Sequence, residues 1–280
     1  MRRILIALAL LAPAVAHADE PNARTVYVER RGLVEADAQC RLFTPAIRSA
    51  LQAGVSQARG SLLREGWSTG RLRELDQAVV AAAQSRACTD ARTQTAAAEA
   101  REAFAHWLNA SAMEFNGWQR TWLARRTVGA NGWRLSQAID APIAAIFGVR
   151  ERDNAQRLTL TIAFARGQTG ASTARLILRD AGRTGAAEIS LPQRVSYGLE
   201  AGAPPATAAL TIPSTRTIEP IDNRRSQAVF VFPDSAFRAL LALDPRESVV
   251  LEVRTGRATQ RVLVEVGDIA AARAFLAIRP

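Results

Sequence analysis

The chain has 280 residues with 36 Lys+Arg against 26 Asp+Glu, and because no lysine occurs, every one of those cations is arginine. That absence excludes a lysine nucleophile or Schiff base. Two cysteines, Cys40 and Cys88, and two histidines, His17 and His106, leave little for metal or acyl-transfer chemistry, and no phosphate-binding loop, dinucleotide fingerprint, serine-hydrolase elbow or zinc-protease motif is present.

Residues 1–18 read as a secretory signal peptide. Arg2 and Arg3 form the basic start, Ile4 to Leu11 the apolar run, and Ala16-His17-Ala18 the small-x-small cleavage site. The run falls short of the about 20 residues that span a bilayer. The expected mature chain therefore starts at Asp19, has no transmembrane helix, and works in the periplasm or outside a Gram-negative cell. Cleavage takes away two arginines and no acid, lowering the net charge from +10 to +8. The charge is spread rather than concentrated: residues 19–133 hold 15 Arg and 12 acids, residues 134–280 hold 19 Arg and 14 acids.

Thr44 followed by Pro45 starts a helix carrying Ile47, Leu51, Val55, Ala58 and Leu62 on one face. After Gly66-Trp67-Ser68-Thr69-Gly70 a second helical period follows in Leu72, Leu75, Val79 and Ala82. An antiparallel hairpin of these two helices puts Cys40, just before the first, and Cys88, just after the second, at the same end. In an oxidising compartment the pair is expected as a structural disulfide. A third helix runs from about Asp90 to Ser111 with Ala97, Ala100, Phe104, Trp107 and Leu108 on one side, and a short helical piece carries Trp118, Trp122 and Leu123.

From about residue 156 the period becomes two. Leu158, Leu160, Ile162 and Phe164 alternate with polar or small residues, and shorter candidate strands follow at 176–178, 187–191, 208–212, 228–232, 249–253 and 262–266. Helices are expected at 234–243 and 268–278, with Asp234 and Asp268 placed to cap them. The fold class is thus α+β: a disulfide-tied helical domain over 19–127, a junction over 128–155, and a β-rich, antiparallel, sandwich-like domain over 156–280 with two short helices near its end.

The closing segment of Val229 to Phe232, Phe237 to Leu240, Val249 to Val253, Val264 to Gly267 and Ala270 to Phe275 resembles the last part of invasion-associated locus B-like periplasmic proteins. The resemblance covers about fifty residues, rests on hydrophobic pattern and one glycine, and implies a small secreted β-rich domain in the bacterial envelope. It brings no site residues with it.

Two constellations carry chemistry. Glu99, Glu102 and His106 share a helical face at spacings of three and four, a pattern that fits a solvated face with an ordinary (i, i+4) pair better than a metal site. Between Glu114 and Asp140 there is no acid, while Arg120, Arg125, Arg126 and Arg134 interleave with Trp118, Trp122 and Trp133. Arginine forks and indole faces suit a polyanion or glycan; the same residues also suit packing between the helical and β-rich parts. The function expected from the sequence is a non-enzymatic binding or interaction protein of the envelope, without cofactor or metal and without a dedicated nucleic-acid motif. Its partner is expected to be an anionic envelope polymer or a protein. The rival is a carboxylate-dependent cell-wall hydrolase using Glu99 or Glu102.

Overall fold

A computed structural model describes residues 22–168, 170–184 and 204–277. The expected signal peptide and the candidate strand at 187–191 lie outside them.

Four helices come first, and each is started by a side chain suited to the job. In α1 (Ala23–Cys40) the Asn22 side chain accepts from the Thr25 N–H at 2.9 Å. In α2 (Pro45–Arg64) Thr44 accepts from Ile47, in α3 (Thr69–Gln84) Ser68 accepts from Arg71, and in α4 (Ala91–Leu108) Asp90 accepts from Thr93. The expected α2 and α3 are both present, but they do not pack on each other as the expected hairpin: α1, which precedes them, packs on both. Of α1 only Tyr27, Ala36 and Asp37 are buried. Cys40 ends α1 and is disulfide-bonded to Cys88 in the α3–α4 connection, with their Cα atoms 5.5 Å apart. A small core of Tyr27, Ala58, Leu62, Leu63 and Leu72 joins α1, α2 and α3.

The turn from α1 to α2 is fastened by Asp37, whose buried carboxylate accepts the Phe43 N–H at 2.8 Å and the Arg48 guanidinium. Burial pushes this carboxyl up, but Arg48 and the backbone donors outweigh it and hold it below its ordinary value. An acid depressed in the folded state stabilises the fold above its unfolded pKa, and that contribution fades as pH falls through the folded pKa. The stability advantage of the wild type over Asp37→Asn is therefore expected to shrink below about pH 4. Thermal melts of both proteins from neutral to strongly acidic pH check this; a gap that stays constant to about pH 2 contradicts it.

Eleven strands follow among the described residues, every pairing antiparallel: β1 (Ala112–Asn116), β2 (Thr121–Arg125), β3 (Trp133–Ile139), β4 (Ala145–Arg152), β5 (Ala155–Ala165), β6 (Thr173–Arg179), β7 (Ala209–Pro213), β8 (Thr215–Pro220), β9 (Arg225–Val231), β10 (Ser248–Thr255) and β11 (Ala258–Glu265). A seven-stranded sheet runs β1-β2-β3-β4-β5-β9-β8, and a four-stranded one runs β11-β10-β6-β7. Phe147, Leu160 and Phe230 from the first share one core with Leu176, Leu178, Val249 and Leu251 from the second. Beyond a single helical turn, α5 (Ala181–Thr184), come α6 (Asp234–Leu241) and α7 (Ile269–Ala277). The expected caps are not made by the expected side chains: Pro233 precedes α6 without a side-chain cap, and the Asp268 carboxylate is taken by Arg64.

The short helix expected at Trp118–Leu123 is instead a β-hairpin, β1 to β2. An i, i+4 pair of tryptophans mimics a helical face, but along β2 Trp122 and Ala124 are buried while Thr121 and Arg125 are exposed, a period of two. The hairpin turn is closed from a distance: the Glu265 carboxylate accepts the N–H groups of Trp118, Gln119 and Arg120 at 2.7, 3.0 and 3.1 Å. Residues 133–152, expected as part of the junction, form β3 and β4 in the middle of the larger sheet. Inward-facing Gln137 interrupts the apolar alternation of β3; it is fully buried and exchanges hydrogen bonds with the backbone of Glu265.

The last helix joins the two parts. α7 packs on α2 as well as on β1 and β2. At its start Arg64 of α2 grips Asp268 with two hydrogen bonds of 2.8 and 2.9 Å. Near its end Phe275 meets Trp107 edge to face at 5.1 Å and Phe115 at 5.9 Å.

Candidate binding groove

The acid-free stretch of the sequence is not acid-free in space, nor is it one surface. Trp122 is wholly buried, its Nε1 donating to the carbonyls of Glu265 and Val266 at 3.0 and 2.9 Å. No face of it is open to a ligand. Arg126 lies between rings, 4.1 Å from Phe275 and 5.0 Å from Trp107, and its Nη1 donates to the carbonyls of Trp107 and Leu108. It therefore caps the end of α4, where cations complement the helix dipole, and burial lowers its pKa. Arg134 donates to the Arg126 carbonyl and pairs with Glu151, and Arg120 donates to the Leu263 carbonyl. Trp133 is half-buried on β3. Only Trp118, at 58% exposure, and Arg125 stand out into solvent. Alternation along β2 and tertiary partners thus divide the seven residues among core, clamp and surface.

The Glu99, Glu102 and His106 trio also divides. Glu99 and Glu102 are exposed, and of the two only Glu99 borders a cavity of about 1060 Å³; the side chain of His106 is outside what is described. Among the described residues no cluster of three or more His, Cys, Asp or Glu is placed to hold a metal.

That cavity lies in the helical part. α4 meets the rest of the bundle chiefly through Ala97 and Phe104 against Phe43 and Ile47. Beyond that contact it leaves a groove of about 1060 Å³ between α4 and β1 on one side and α1, α2 and α3 on the other. Small side chains make the room: Gly32, Ala36, Gly54, Ala82, Ala96 and Ala100 all border it. Larger apolar residues, Val28, Leu33, Leu51 and Val79, form patches between them. The volume lies just above the range, about 300–1,000 Å³, typical of small-molecule sites. Cys40 of the disulfide borders the groove.

One cation reaches into this apolar setting. Arg30 of α1 lies across α2 at Gly54: a methyl group at Gly54 would sit 2.6 Å from Arg30 Nη1 and 2.8 Å from its Cδ. The side chain is half-buried, and among the described residues no hydrogen bond or ion pair reaches its guanidinium; burial lowers its pKa, and the charge of neighbouring Glu29 offsets this only in part. The contrast with Arg31, one residue on, is direct: Arg31 is paired with both Asp76 and Glu35. Periodicity along the chain does not disclose the groove, because its walls come from four helices and a strand that only the fold brings together. A signal is nonetheless present in α2, since Gly54 and Gly60 sit inside a strongly periodic helix, where each glycine costs about 1 kcal/mol against alanine. Gly54 makes way for Arg30 and Gly60 for Asp268.

No protein-family model, no curated protein and no solved structure matches the chain. Among the described residues no helix is long and apolar enough to cross a membrane.

Proposed function

We propose that this chain is an exported, non-enzymatic binding protein of the bacterial envelope whose ligand occupies the groove between α4 and the α1–α3 bundle. The observation that carries this reading is the groove itself: a concavity of about 1060 Å³, mostly small and apolar in lining, with Cys40 of the disulfide at its border. A signal peptide over 1–18, the disulfide and the resemblance of residues 229–275 to a periplasmic family all agree with export. The binding role expected for the Trp118–Arg134 stretch passes to the groove, because Trp122, Arg120, Arg126 and Arg134 are engaged with other parts of the protein and the stretch forms no single open surface.

A neutral naphthylamine dye, whose fluorescence rises in apolar surroundings, is expected to bind saturably at one site per chain. Ala82→Trp places a large ring on an exposed, groove-bordering position of α3 and is expected to abolish that binding while leaving the melting temperature nearly unchanged. Release of soluble fragments from purified cell walls by the wild type, lost in Glu99→Gln, would support the hydrolase reading instead.

A further inference from the structure

We propose that the groove's ligand is an anionic amphiphile, one acyl chain ending in a carboxylate or phosphate, with the chain along the small-residue lining and the anion on the Arg30 guanidinium.

The proposal rests on the groove being the binding site and adds the ligand's chemistry. Folding leaves a charged guanidinium in a partly desolvated, apolar setting only when something repays the lost hydration, and carboxylates or backbone carbonyls ordinarily do so. Arg179, Arg64 and Arg31 each have such a carboxylate; Arg30 does not. Its position is also built: α2 gives up a side chain at Gly54 so that the guanidinium can lie against the helix backbone, and Gly54 itself borders the groove. A planar fork of this kind offers two parallel donors to one carboxylate or phosphate. The remaining charged groups along the groove do not neutralise it. Arg24, Arg86 and Arg92 stand against Glu29, Glu99 and Glu114, all six of them exposed, so the half-buried Arg30 is the cation in excess. A neutral chain would leave that half-buried cation without a counter-charge, and a small free anion would leave the apolar lining wet. Only a molecule with both parts satisfies both.

The test is displacement of the neutral dye by four probes: laurate, dodecyl phosphate, dodecanol and inorganic phosphate. In the wild type, laurate or dodecyl phosphate is expected to compete at least roughly tenfold better than dodecanol, the size of a hydrogen bond to a charged group, and inorganic phosphate is expected not to compete. Whichever of the two anions competes more strongly identifies the head group. Arg30→Gln is expected to erase the preference of the anions over dodecanol while binding the dye as the wild type does, which shows that the groove is intact. Arg125→Gln, a change of the same charge on an exposed residue outside the groove, is expected to keep the preference. Equal competition by laurate, dodecyl phosphate and dodecanol, or a preference that survives Arg30→Gln, overturns the proposal. Competition by inorganic phosphate alone overturns it in favour of a free-anion site. Failure of the dye to bind at all overturns the groove reading on which it rests, and is thereby distinguishable from failure of the anion contact.

Discussion

Alanine in place of Glu247 is expected to cost about 3–5 kcal/mol of stability, because it strands Arg179 as a buried, unpaired cation. Arg179 on β6 is 0% and Glu247, just before β10, 1% exposed in their side chains. The pair is joined twice, Nε to Oε2 at 3.1 Å and Nη2 to Oε1 at 2.8 Å. The surroundings complete it: Arg179 Nη1 donates to Thr184 Oγ1 at 2.7 Å, and Glu247 Oε1 accepts the Asp244 N–H at 2.9 Å. Its role is to hold the connection between α6 and β10 against the smaller sheet. A buried pair of this kind is often replaceable by apolar residues of similar volume at little net cost. Arg179→Met with Glu247→Leu is therefore expected to recover most of the loss. Urea unfolding of the single and double variants reads both outcomes; a single variant within about 1 kcal/mol of the wild type would show that the pair is hydrated and weak.

Removing the disulfide by Cys40→Ser with Cys88→Ser is expected to cost about 4 kcal/mol, the chain-entropy estimate for a closed loop spanning 48 residues. The loss falls on the helical part, whose own core is small: Tyr27, Ala58, Leu62, Leu63 and Leu72. The bridge joins the end of α1 to the start of α4, so it also sets the width of the groove at that end. Dye binding is expected to weaken along with stability, whereas the sheet core around Phe147, Leu160 and Phe230 keeps its packing. Melting curves with and without reductant, run beside dye titrations, check the two effects together. Unchanged dye affinity in a destabilised variant would show that the bridge does not shape the groove.

Elements whose side chains follow their own period are legible in the sequence alone. α2 and α3 carry helical faces, β5 alternates in sequence from Leu158 to Phe164, and Cys40 and Cys88 pair as expected, although α2 and α3 meet through α1 and not as a hairpin. The elements that stay hidden share one physical cause, a partner far away in sequence. α1 meets α3 in part through polar contacts, Tyr27 and Arg31 to Asp76 and Gln84 to Glu35. β3 hides its alternation behind Gln137, which is satisfied by a backbone 128 residues away. The Trp/Arg stretch reads as an acid-free surface only until Glu265 and Glu151 are brought to it. The groove needs α1 and α4 in their places together, and no local pattern contains that; an unpaired Arg30 beside Gly54 emerges only when the helices pack.

The groove assignment is tested most directly by titrating the neutral dye into the wild type and Ala82→Trp side by side, at equal protein concentration and with melting temperatures recorded for both. One saturable site per chain in the wild type, absent from an equally stable Ala82→Trp, is the predicted result. Equal binding by the two proteins, or binding lost only when Trp118 or Arg125 is changed, would contradict it.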